Sequence, residues 1–130
     1  MPDSIFTKII NREIPAEILW ENENIIVLMD AFPHVDGQVL VIPKVQVDKF
    51  YDLDDQYYTE LFQISKFVAK NLETVFGKTR VALIVEGFEV PHVHVKLYPV
   101  NEASETMNEI TDELKGRIKL NAEKIRNVLN

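Results

Sequence analysis

The chain is 130 residues long and 46% hydrophobic, which suits one domain with a single continuous core and implies no second domain. It contains no cysteine, excluding thiol catalysis, disulfides and cysteine zinc sites; its formal charge of -7 argues against a broad nucleic-acid surface, which needs a basic stripe. Met1-Pro2-Asp3-Ser4 lacks a basic or apolar leader pattern and no apolar run reaches the length of a membrane span, so a soluble, cytoplasmic protein without a membrane partner is expected.

In chain order, Ser4 to Ile10 spaces Ile5, Phe6, Ile9 and Ile10 as a short amphipathic helix does, with Ser4 as N-cap, and Pro15 ends that element. Glu17 to Glu21 and Ile25 to Asp30 read as strands of an antiparallel hairpin around Asn22-Glu23-Asn24. A loop from Ala31 to Gly37 leads into the apolar run Gln38 to Ile42, a central strand closed by Pro43. Asp54 caps the longest expected helix, in which Leu61, Ser65, Val68, Leu72 and Val75 recur at helical spacing; Gly77 is its C′ residue. That stripe belongs to the core or to a dimer interface. Arg80 to Glu86 and His92 to Tyr98 read as two further strands, joined through Gly87 to Pro91. From about residue 100 the chain reads as a helical extension of the same domain. There, Glu102 to Asn108 is a solvated connection, followed by a stripe of Ile110, Leu114, Ile118, Ala122 and Ile125 interrupted by Gly116. The order predicts an α+β domain: a mostly antiparallel five-stranded sheet, one long helix and shorter terminal helices.

Chemistry concentrates in Pro91-His92-Val93-His94-Val95-Lys96-Leu97-Tyr98-Pro99, which holds two of the three histidines. In a strand, alternate side chains share a face, so His92, His94, Lys96 and Tyr98 form one polar row at steps of roughly 6.6 Å while Val93, Val95 and Leu97 enter the core. A neutral imidazole in such a row can act as a nucleophile, with one nitrogen free and the other N–H held by a strand carbonyl. Lys96 adds a cation that disfavours imidazolium at His94 and attracts an anionic substrate. Plainer readings stand beside this one. The histidines can be the polar face of an edge strand, or can share a metal with His34, Asp36 or Glu89. Asp30 can cap the turn toward Pro33, Lys44 can be a solvated lysine, and His34 can be an exposed loop residue.

The motif resembles the His-φ-His-φ-His-φ-φ signature of the histidine triad (HIT) nucleotide-binding proteins, where φ is apolar. The likeness extends through Ser4 to Ile10, Glu13-Ile14-Pro15-Ala16, Met29-Asp30, Gly37 to Lys44, and Gly87 to Pro99. It implies a HIT-like fold whose sheet is extended by homodimerisation. It further implies a nucleotide phosphate hydrolase or nucleotidyltransferase acting at the α-phosphate through a nucleotidyl-histidine intermediate, with no metal or other cofactor. The substrate it implies is a small nucleotide, a purine nucleoside monophosphate or its derivative. His94 matches the nucleophile and His92 the first triad histidine. Ile5, Phe6, Ile9, Ile14 and Leu28 match the walls of the base pocket. Asp30 matches the acid that binds ribose hydroxyls, and Ala31 and Gln38 complete the nucleotide site.

The chain departs from the family pattern at named positions. Lys96 stands at the third triad position, Gln38 and Gln46 where many relatives carry histidines, Ser4 and Thr7 at a cysteine pair by which some relatives hold zinc, and Phe88 at a common glutamine. The stretch Val85 to Val90 is shorter than the phosphate loop of the best-known branch. A charged lysine donates to phosphate but cannot accept a proton. The alternative expectation is therefore a nucleotide-binding or signalling module whose catalysis is reduced or lost through Lys96, Gln38 and Gln46.

Overall fold

The computed structural model describes residues 2–130. Helix α1 spans Ile5–Ile10, and Ser4 caps it from an extended conformation, its hydroxyl accepting the Thr7 N–H. Strands β1 (Ile18–Glu21) and β2 (Ile25–Met29) form the expected hairpin, and Asn22 Oδ1 closes its turn by accepting the Asn24 and Ile25 N–H groups. Strand β3 covers Val39–Pro43. Helix α2 runs over Asp55–Phe76, capped by the Asp54 carboxylate and stopped at Gly77 in the left-handed region. Strands β4 (Arg80–Ile84) and β5 (Val95–Val100) follow, then helices α3 (Asp112–Gly116) and α4 (Ile118–Leu129). All neighbours in the five-stranded sheet are antiparallel and the order is β1-β2-β3-β5-β4, so β5 inserts between β3 and β4.

Register decides which side chain faces which layer. Pairing Leu28 with Leu40, Leu40 with Lys96, and Lys96 with Ile84 puts these residues on one face. Val27, Val41 and Val95 take the other. There they meet Leu61, Val68 and Leu72 of α2 with Ala122 and Ile125 of α4 in the larger core. Each fully buried Val, Leu or Ile in that layer contributes about 1.5–3 kcal/mol of transfer free energy. The first face is covered over β2 and β3 by Phe6 and Ile9 of α1, which pack on Ile26, Leu28, Leu40 and Ile42.

Some boundaries differ from the sequence reading. His92 and His94 precede β5 rather than lying within it, because the backbone there bonds elsewhere: His92 N–H to Val90 O at 2.8 Å and Val93 N–H to Val47 O at 2.8 Å. Both rings are also buried, so the row is not an open polar face. The connection after β5 is largely exposed, as expected, but carries a turn of its own. Ala103–Met107 winds into a 3-10 turn held by reciprocal bonds between Glu102 and Glu105. A second such turn, Phe50–Asp52, precedes α2. The α2 stripe is buried against the sheet and α4 of its own chain, so it does not by itself call for a partner.

Candidate active site

His92 and His94 are 0% and 5% exposed, and each ring has one nitrogen against a backbone carbonyl, which can only accept. His92 Nε2–H donates to Pro43 O at 2.7 Å, so its Nδ1 is an acceptor, and Ser4 Oγ–H donates to it at 2.7 Å. His94 Nδ1–H donates to His92 O at 2.7 Å, which directs the lone pair of His94 to Nε2. Burial holds both rings below the usual histidine range; for His94 the Lys96 cation pushes the same way, while the His92 carbonyl, Glu86 and Asp30 push back. The Phe6 ring stands edge-on to both, with centroids 5.7 Å from His92 and 4.8 Å from His94. At neutral pH His94 is thus an uncharged imidazole with one nitrogen free.

Three residues noted as departures from the family pattern come together around His92. Gln46 Oε1 accepts the Ser4 N–H at 2.9 Å and the Thr7 hydroxyl at 2.7 Å, and Gln46 Nε2 donates to Pro2 O at 3.0 Å. A chain of neutral hydrogen bonds therefore ties the start of α1 to the histidine row. No group of three or more His, Cys, Asp or Glu able to hold a metal occurs among the described residues. Of the third ligands considered, His34 Nδ1 meets Asn108 O instead, and Asp36 is engaged by Arg117 and Asn121.

Lys96 is not a free cation. Its Nζ donates to Glu86 Oε1 at 3.0 Å, and that bond holds the Glu86 carboxyl below the ordinary carboxylate range. Sequence reasoning placed Glu86 only at a strand end. The signal was the hairpin register, which sets Ile84 opposite Lys96 and leaves Glu86 two residues on, on the same side. Glu86 and His94 line one cavity of about 410 Å³, closed by Asp48 to Tyr51 on one loop and by Val85, Gly87 and Phe88 on another. Its size suits a small molecule.

The expected nucleotide residues divide into groups. Phe6, Ile9 and Leu28 are buried together beside Ile14, while Ile5 is half-exposed on α1. Asp30 does cap its turn, accepting Phe32 N–H at 2.9 Å through Oδ1. Its Oδ2 accepts Gln38 Nε2 at 2.7 Å, and Gln38 Oε1 accepts His34 N–H at 2.6 Å, so buried Gln38 braces the loop that carries exposed Ala31. Tyr98, the last member of the row, is buried beside Val35 and Val100, and its hydroxyl is pushed up to about 12 by burial and by the Asp30 and Glu86 charges. Lys44 pairs with Glu21 at 2.7 Å.

Known proteins resemble this chain in sequence and in fold. The chain is 35% identical over 102 residues to an uncharacterized HIT-like protein of Methanocaldococcus jannaschii, covering 73% of this chain and 77% of the relative. It is 33% identical over 96 residues to the adenosine 5'-monophosphoramidase HNT1 of Saccharomyces cerevisiae, covering 73% of this chain and 61% of that one. A solved Hit-like protein from Bartonella henselae superposes with a TM-score of 0.83 at 27% identity, over 98% of this chain and 97% of the other. The HIT domain model matches residues 11–103, a span that holds the whole sheet and both buried histidines, and on that match the chain belongs to the HIT domain family.

Proposed function

We propose that this chain is a nucleotide phosphate hydrolase or nucleotidyltransferase that works at the α-phosphate through a nucleotidyl intermediate on His94. The observation that carries the reading is the His94 ring: neutral by burial, oriented by the His92 carbonyl, and set in the wall of a cavity. Nε2 gives its lone pair to phosphorus while the bond from phosphorus to the leaving group breaks, the electron pair departing with that group, and this attack needs that tautomer and no other. His92 acts through its carbonyl and its own fixed ring, so it is a positioning residue. Lys96, at the third triad position, is the phosphate cation; a phosphoryl oxygen replaces one carboxylate oxygen of Glu86 as its partner, an exchange of one ion pair for another. Asp30, Ala31 and Gln38, with the apolar wall of Ile5, Phe6, Ile9, Ile14 and Leu28, hold the nucleoside. The yeast relative is an adenosine 5'-monophosphoramidase, which supports an adenosine, hence purine, nucleotide.

The decisive test is acid- and alkali-quenched mass spectrometry on native protein and His94→Ala, mixed with a nucleoside 5′-phosphoramidate and with a dinucleoside polyphosphate. Native protein is expected to carry a nucleotidyl adduct on His94 and to release nucleotide at least about 100-fold faster than the variant. Equal release rates remove the catalytic reading. The second reading, a binding module without turnover, is favoured by one observation: Glu86 already neutralises Lys96. It predicts that calorimetry detects a nucleoside monophosphate while no adduct forms.

A further inference from the structure

Forming a nucleotidyl-histidine is half of a reaction; the other half needs a proton acceptor that the histidine row does not supply. An acceptor H–Y that attacks the phosphorus must lose its proton. His94 Nδ1 already carries a hydrogen held by the His92 carbonyl. His92 Nδ1 is occupied by Ser4 and faces the buried side of the ring. Lys96, an ammonium in its ion pair, has no lone pair to offer.

Glu86 is placed for the task. It lies just past β4, it lines the same cavity as His94, and its side chain is one-third exposed, so water reaches it. The charge of each group bears on the protonation of the other. We propose that Glu86 is the general base of the acceptor half-reaction, taking the proton from the water, alcohol or amine that attacks the nucleotidyl phosphorus. The inference rests on the His94 reading above. In this step the Y–P bond forms and the P–Nε2 bond breaks, its electron pair returning to Nε2. The proton of H–Y passes to Glu86 and then to solvent.

Lys96 makes the base conditional on substrate. In the free protein its hydrogen bond keeps Glu86 ionised but weakly basic. When a phosphoryl oxygen takes that hydrogen bond, the carboxylate loses its counter-ion and regains basicity at the moment the intermediate needs it. Lysine and glutamate thereby divide what one imidazole does alone: Lys96 answers the phosphate charge, Glu86 handles the proton. The remaining charges on the cavity, Asp48 and Lys49, come from the loop after β3 and are of opposite sign.

Single-turnover quench with a nucleoside 5′-phosphoramidate, on native protein and Glu86→Gln, separates the two halves. The variant is expected to form the His94 adduct at least as fast as native protein, which also shows that it is folded, and to lose it about 100-fold more slowly. Glu86→Asp and added formate should each restore part of the decay. The rise of native decay with pH through the carboxylate range, where Asp48 is the other carboxylate on the cavity, should vanish in Glu86→Gln but persist in Asp48→Asn. Adducts that decay equally fast in native protein and Glu86→Gln overturn this inference and leave the His94 reading intact. Native protein that forms no adduct overturns both.

Discussion

Ser4 does two jobs with one oxygen, capping α1 through Thr7 N–H and donating its proton to His92 Nδ1. Removing it costs twice: about 1 kcal/mol for the cap, and about 1–3 kcal/mol for a buried nitrogen left without a partner. Ser4→Ala is therefore expected to lower stability by about 2–4 kcal/mol in urea titration, whereas Thr7→Ala, whose hydroxyl lies at 3.5 Å from the same nitrogen, costs less. The histidines also make stability depend on pH. Both rings have folded pKa values below the usual 6.5, so between that value and their own the unfolded chain binds more protons than the native one. Stability is complete above pH 6.5 and falls as pH drops below it, by about 1.4 kcal/mol per pH unit for each ring that stays neutral in the fold. Denaturant midpoints that stay level from pH 7 to pH 5 would contradict this. At this scale the alternation of His92, His94 and Lys96 with valines was legible because the pleat is a local rule. The partners Ser4, Gln46 and Glu86 were not, because they arrive from other elements and only tertiary packing brings them there.

Helices and strands were readable wherever one periodicity ran unbroken. The stripe Leu61, Ser65, Val68, Leu72 and the caps Asp54 and Gly77 place α2 as expected, and the apolar run before Pro43 places β3. Failures fell where the backbone bonds outside the sheet: the His92 N–H closes a local turn onto Val90 O, and the Val93 N–H goes to Val47 on a distant loop instead of a neighbouring strand. Glycines show the same contrast between local and tertiary causes. Gly77 has φ 60 with nothing near its missing Cβ, so Gly77→Ala costs only backbone strain, about 1 kcal/mol. Gly37 has φ 79, and a Cβ there would collide with the Phe76 ring at the end of α2. Gly37→Ala adds overpacking to strain, about 2–4 kcal/mol in total, and shifts the loop bearing Asp30 and Gln38. Thermal melts should rank the two variants in that order, and equal losses would show that Phe76 yields freely.

For the whole molecule, the two edges of the sheet are treated differently. Along β1 the carbonyl of Ile18 accepts Arg126 Nε at 2.9 Å and that of Leu19 accepts Asn130 Nδ2 at 3.0 Å, so the end of α4 caps that edge. Along β4 no side chain bonds the outer backbone among the described residues, and Leu83 and Ile84 are 44% and 36% exposed. An uncapped apolar edge invites another strand. The homodimer that the family resemblance implies is therefore expected to join here, β4 to β4, continuing one sheet through both copies. Leu83→Lys tests it without disturbing the protomer, because the side chain is already half in solvent. Light scattering should report a dimer for native protein and a monomer for the variant. Charge sets a second condition: two copies of a chain with formal charge -7 repel, so added salt should tighten the native dimer by screening that repulsion, whereas a seam built on cross-chain ion pairs would loosen. A native monomer at micromolar concentration and moderate salt would leave β4 as a bare edge, and a Leu83→Lys dimer would put the seam on another surface.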